Sequence, residues 1–195
     1  MPPSSLNPQD KSALYGGSFD PFHEGHRIVI ETALEAGYGP IFVCPAAQVP
    51  GKGETIASGR DRLEMTRLGT VGLERIQVDS WEITEGGISY STQTLDYLRE
   101  EKRCGHLSLL LGGDAATTLP QWRDGEQILK TTPVVIVARP GFDLPSYKHS
   151  FLPSPQLEVS SRSIRESLVK GKTPPPSWLN PLVLAHIRAR GLYTN

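Results

Sequence analysis

The chain has 195 residues, with 20 Lys and Arg against 21 Asp and Glu and a formal net charge of −1. That length suits one domain, or one domain with an appendage, and a sizeable core. The near-neutral balance argues against a dedicated nucleic-acid binder, which carries a basic excess. Cys44 and Cys104 have neither the number nor the spacing of a disulfide framework or zinc site, so no metal site is expected and the thiols read as reduced. No apolar run approaches the ~18 residues of a membrane span, and MPPSSLNPQDK lacks the apolar stretch of a signal peptide. Residues 1 to 11 therefore read as a loose tail. Residues 12–195 read as one domain of a cytoplasmic protein with no membrane or nucleic-acid partner, its oligomeric state left open.

In chain order, short apolar runs alternate with helical patterns. Ala13–Tyr15, Ile41–Cys44, Ile76–Val78, Leu107–Leu111 and Val134–Ala138 have the continuously apolar, largely β-branched character of strands buried on both faces. Between them, Ile28, Ile30, Ala33, Leu34 and Ala36 make one helical face. Leu63, Met65, Leu68 and Val71 make a second, and STQTLDYLREEK a third. This alternation implies βαβ units: an α/β fold with a Rossmann-like, doubly wound parallel sheet. The last third is broken by Pro153, Pro155 and Pro174–Pro176. It promises a small helical part over about 158–195, with helices over Ser161–Val169 and Pro181–Arg190.

In such sheets ligands bind beyond the carboxyl ends of the strands. The segment YGGSFDPFHEGHR, Tyr15 to Arg27, follows the first strand and falls there. Gly16 and Gly17 let the backbone approach a ligand and present its N–H groups, and Ser18 adds a hydroxyl. Asp20-Pro21 fixes a turn. A helix starting near Glu24 then brings His23 and His26 to its N-terminal end, where anions are favoured. Taken singly, a Gly-Gly pair is an ordinary turn and two histidines are surface residues; the ordered combination is what points to a phosphate site. His-Glu-Gly-His lacks the HExxH spacing of a zinc protease, and no P-loop or GxGxxG is present.

A second anion site is readable in VSSRSIRESL, Val159 to Leu168. Ser160 or Ser161 suits an N-cap, and Arg165 shares the first turns of the helix that follows. The bland alternative is a capped helix with solvated arginines.

The first stretch closely resembles the GG(T/S)FDPxHxGH signature of the nucleotidylyltransferase superfamily, and within it the bacterial nicotinate mononucleotide adenylyltransferases. VSSRSIR resembles that family's ISSTxIR motif, with Arg162 where Thr is usual. The resemblance extends over residues 12–193. It implies transfer of AMP from ATP to nicotinate mononucleotide, with Mg²⁺ carried on ATP rather than by a protein site. His23, His26 and Arg165 would be catalytic. Gly16, Gly17, Ser18, Phe19, Gly112, Asp114, Ser160 and Ser161 would bind ATP with Arg165. Ser18, Lys52, Tyr90, Ser91, Thr94 and Trp122 would bind nicotinate mononucleotide, with Gly51 standing where a His usually precedes Lys52. On the residues alone, Lys52 is equally a solvated loop lysine, Asp114 an N-cap and Trp122 a core residue. Alternatives are the same chemistry on nicotinamide mononucleotide, phosphopantetheine or a small phosphorylated alcohol, or a non-catalytic ATP-binding module.

Overall fold

The computed structural model describes residues 11–51, 53, 55–102, 104–155 and 157–194. Six strands form the sheet: β1 (Lys11–Gly17), β2 (Ile41–Pro45), β3 (Ile76–Val78), β4 (His106–Gly112), β5 (Val134–Ala138) and β6 (Ser150–Pro153). All pair in parallel, in the order β3-β2-β1-β4-β5-β6. Each of the five expected strands is present. β6 was not expected; its four residues are mostly exposed, and Pro153 ends it at the sheet edge, where a missing N–H costs no ladder bond. Of the expected tail, residues 1–10 lie outside the described residues, and Lys11 instead opens β1, paired with His106.

Side chains alternate across the sheet and build two apolar layers. Leu14, Phe42, Leu109, Leu111 and Ile136 point to one face, where Leu95, Leu98 and Ile128 meet them. Ala13, Tyr15, Val43, Leu110, Val135 and Val137 point to the other, against Val29, Ile30 and Ala33. The helices are thus shared between faces. α1 (Glu24–Glu35) packs on the second layer. α4 (Ser91–Glu100) and α6 (Gly125–Thr131) pack on the first. The short α3 (Trp81–Glu85) and α5 (Gly113–Thr118), the latter followed by a 3-10 turn at Leu119–Gln121, escape sequence reading. Each is under two turns and shows no periodicity.

A third apolar cluster lies beside the sheet. Ala57 and Met65, the latter on α2 (Gly59–Gly69), meet Ile164 of α7 (Ser161–Val169), Val183 and Ile187 of α8 (Pro181–Ala189), Leu179 and Tyr193. α7 matches the expected span, and α8 ends one residue before it. Asp61 strengthens this junction by accepting from Arg190 Nε at 2.9 Å and facing His186 Nε2 at 3.2 Å. The proline-rich stretch before α8 has a definite role: the Trp178 carbonyl accepts the Glu24 N–H at 3.0 Å, at the first residue of α1.

Candidate active site

The strand order reverses between β1 and β4, so their connections leave in opposite directions and open a crevice beyond their carboxyl ends. Gly16 and Gly17 end β1, and Gly112 ends β4 across from them. A Cβ on Gly17 would stand 2.7 Å from the Phe19 ring, so the close turn needs glycine there, whereas Gly16 meets nothing nearer than the Cys44 carbonyl at 3.9 Å. Phe19 has a positive φ of 49°. Its ring is buried against Tyr15, Phe22 and His26, so only its main chain can face a nucleotide.

The helix does start at Glu24, with His23 as its N-cap. The His23 and His26 rings stack with centroids 3.7 Å apart. The His23 N–H donates to His26 Nδ1 at 3.2 Å. A ring nitrogen that accepts carries no proton, so neutral His26 holds its proton on Nε2 as a donor. His23 is 7% exposed, and its Nδ1 turns toward the first-turn backbone without reaching good hydrogen-bond geometry. Burial pushes its pKa down to about 4, so the free protein holds it neutral at pH 7.

The second expected anion site docks on the first. Ser160 caps α7, its Oγ accepting the Ser163 N–H at 3.0 Å. Ser161 Oγ donates to the Pro21 carbonyl at 3.0 Å, and Arg165 Nη1 donates to the Asp20 carbonyl at 2.6 Å. Gly25 makes the approach possible, since a Cβ there would meet His23 at 3.0 Å and Val159 at 3.1 Å. The N-termini of α1 and α7 therefore converge on one turn, Asp20-Pro21, and both present N–H groups and cationic or imidazole side chains there. Arg162 takes no part in this: its Nε pairs with Glu166 Oε1 at 2.8 Å, with 83% of the side chain exposed.

The residues expected for the acceptor gather less completely. Tyr90 caps α4, Ser91 is its first residue, and the Arg123 guanidinium lies 4.4 Å over the Tyr90 ring. Trp122 is half-buried against the first apolar layer, with Nε1 donating to Thr118 Oγ1 at 3.1 Å. Asp114 is exposed in the first turn of α5, but Gly112 holds the N-cap position. Thr94 departs from its expected place: it is fully buried and its Oγ1 donates to Glu82 Oε1 at 2.6 Å, so its hydroxyl braces α4 from within the core instead of lining the crevice. Burial raises the Glu82 pKa, against the lowering effect of hydrogen bonds from Ser89 and Thr94. Lys52 lies outside the described residues. Among the described residues, no group of three or more His, Cys, Asp or Glu could hold a metal ion, and no helix is long and apolar enough to cross a membrane.

Sequence reading missed the support beneath the loop: the Asp20 carboxylate, Arg62 and Tyr193, all buried. Arg62 stood in IASGRDRLEM as the arginine of a stretch similar to the family's S-x-x-x-R-x-x-M helix, one of two arginines there, but that pattern does not say which carbonyls its guanidinium meets.

A family model described as cytidylyltransferase-like matches residues 14–167. A probable nicotinate-nucleotide adenylyltransferase of Rhodopirellula baltica is 33% identical over 89% of this chain and 90% of its own length. One from Roseiflexus castenholzii is 35% identical over 94% and 98%. The chain belongs to the nicotinate-nucleotide adenylyltransferase family, within the cytidylyltransferase-like group. The family fold is also that of the nicotinic acid mononucleotide adenylyltransferase of Plasmodium falciparum complexed with NaAD. That structure superposes with a TM-score of 0.77 over 95% of this chain and 98% of that one, at 19% identity.

Proposed function

We propose that this protein transfers AMP from ATP to nicotinate mononucleotide, giving nicotinate adenine dinucleotide and pyrophosphate, as a cytoplasmic step of NAD biosynthesis. One observation carries the reading: two helix N-termini, α1 with His23 and His26 and α7 with Ser160, Ser161 and Arg165, meet on the Asp20-Pro21 turn at the sheet's switch point. Two such cradles suit a single triphosphate, one at the α-phosphate and one at the departing pair.

An oxygen of the acceptor's 5′-phosphate attacks the α-phosphorus of ATP. The bond from that phosphorus to the bridging oxygen breaks, and pyrophosphate leaves with the electron pair. The attacking phosphate is already anionic, so no proton has to be removed first. Catalysis then rests on positioning and on charge stabilisation. The Nε2–H of His26 and the His23 ring donate toward the transferring phosphoryl. Gly16, Gly17, Ser18 and the Phe19 main chain line the nucleotide, with Gly112 and Asp114 opposite, where Asp114 accepts from ribose hydroxyls. Ser160, Ser161 and the remaining Arg165 N–H groups hold the departing phosphates. Mg²⁺ enters as part of the nucleotide substrate, on its phosphate oxygens. On the acceptor side, Trp122 offers a flat face to the pyridine ring, with the α4 start at Tyr90 and Ser91 facing its carboxylate.

Pyrophosphate release with ATP and a panel of acceptors tests this. Nicotinate mononucleotide should be turned over fastest, ahead of nicotinamide mononucleotide and phosphopantetheine. His26→Ala should lower kcat by about 10²- to 10³-fold with the KM for ATP little changed. Release with none of the acceptors, or a His26→Ala variant with unaltered kcat, would overturn the reading.

A further inference from the structure

A buried polar cluster lies under the nucleotide loop and touches no reacting atom. Arg62, on α2, is only 1% exposed. Its guanidinium donates to three main-chain carbonyls: Ser18 at 2.7 Å, Ala47 at 2.9 Å and Ala57 at 3.3 Å. Ser18 belongs to the loop leaving β1. Ala47 belongs to the loop leaving β2, and Ala57 sits just before α2. Beside this fork, Asp20 is 5% exposed and accepts from three donors: the Ile56 N–H at 2.9 Å, the Ala57 N–H at 3.2 Å and the Tyr193 hydroxyl at 2.6 Å. Tyr193 follows α8 and is itself buried. Three parts of the chain distant in sequence, the loop after β1, the β2–α2 connection and the residues after α8, are therefore bonded through two opposite charges.

We infer that Arg62 and Tyr193 are positioning residues for adenylyl transfer: with Asp20 they lock the loop that grips the triphosphate to the loop that faces the acceptor, and both to the chain's C-terminal end. The inference rests on the proposed reaction, in which the α-phosphate and the attacking phosphate must be held in line. A buried guanidinium has to satisfy its donors, and its planar fork fixes the directions in which it does so. Here each direction ends on a different segment, so the fork sets the spacing between those segments. A lysine carries its donors on a flexible stem and cannot hold the same three carbonyls in one plane. Tyr193 acts through Asp20. Its hydroxyl keeps one carboxylate oxygen in place, and that carboxylate carries the Ile56 and Ala57 amides.

A lock of this kind acts on geometry in the transition state, so kcat should respond more than KM. A residue that only stabilises the fold would lower the melting temperature and leave kcat per folded molecule unchanged. The test uses Tyr193→Phe, which keeps the packed ring, and Arg62→Lys, which keeps the charge. Circular dichroism at the assay temperature gives the folded fraction, and kcat is taken per folded molecule. Tyr193→Phe should lower kcat about tenfold and Arg62→Lys up to about a hundredfold, with the KM for ATP within about threefold. Hydrogen exchange should also quicken at the Ile56 and Ala57 amides in Tyr193→Phe. A kcat within about twofold of the parent in both variants overturns the inference, as does a loss confined to melting temperature. Should the parent protein release no pyrophosphate with any acceptor, it is the proposed reaction that fails. The exchange at Ile56 and Ala57 then decides the lock by itself, with unchanged protection overturning it.

Discussion

His23 makes the protein's stability depend on pH between the ordinary imidazole pKa and its own. Its pKa falls from 6.5 to about 4 on burial, a displacement worth about 3 kcal/mol at 1.36 kcal/mol per unit. The sign follows from proton counts. Between pH 6.5 and about 4 the unfolded chain binds a proton on this imidazole and the folded chain does not, so falling pH favours unfolding. The contribution is fully present above pH 6.5 and fully lost near pH 4. Other groups act elsewhere or with opposite sign. Asp61, held below the usual carboxylate range by Ser58 and then by Arg190 and His186, loses its contribution only as pH falls below that range. Glu24 and Glu82, raised by burial, take up protons in the folded state and partly offset the loss. Comparing the parent with His23→Asn isolates the imidazole, because Asn still suits an N-cap. Urea unfolding of both proteins across the window should show the parent losing about 3 kcal/mol more than the variant between neutral pH and pH 4, less whatever loop opening lets the imidazolium reach water. Parallel pH profiles for the two proteins would refute the argument that His23 is neutral because it is buried.

Thr94→Val should cost about 2 kcal/mol in urea unfolding, because it strips a hydrogen bond from the buried Glu82 carboxyl while keeping side-chain shape. Gly69→Ala should lower stability by about 2 kcal/mol, read as a drop in melting temperature, since its new methyl would overlap the fully buried Phe22 ring. Arg162→Ala should leave kcat and the KM for ATP within about twofold of the parent, because that guanidinium is paired in solvent with Glu166. A large rise in KM would instead bring Arg162 into the phosphate site.

Much of this architecture was legible because the sheet is parallel and covered on both faces. IFVC, LSLLL and VVIVA can be little else than buried strands, and the helix over Ser161–Val169 was readable from its cap and its Ile164–Leu168 face. The start of α1 was readable too, since Asp20-Pro21 fixes a turn just before it. What escaped is of two kinds. β6, α3 and α5 are too short to carry a period. Thr94, Arg62, Asp20 and Tyr193 were hidden for another reason: a side chain's partner across the fold is not written near it. Thr94 looks like a ligand residue at a helix start, but 3.6-residue periodicity turns it inward with Leu95 and Leu98, onto Glu82.

The same contrast explains why this site needs nearly the whole chain. Gly17 and Gly112 are brought opposite one another by neighbouring strands, and the sheet alone could do that. The sheet does not determine where α7 stands. That depends on Met65, Ile164, Val183 and Ile187 packing in a cluster of their own, and on Asp61 joining α2 to α8. Once α7 is held there, Ser161 and Arg165 reach the Asp20-Pro21 turn, and Trp178 meets the first N–H of α1. The triphosphate cradle is therefore half a property of the sheet's switch point and half a property of a small satellite core. Any loosening of that core would separate the two helix N-termini while leaving the strands intact.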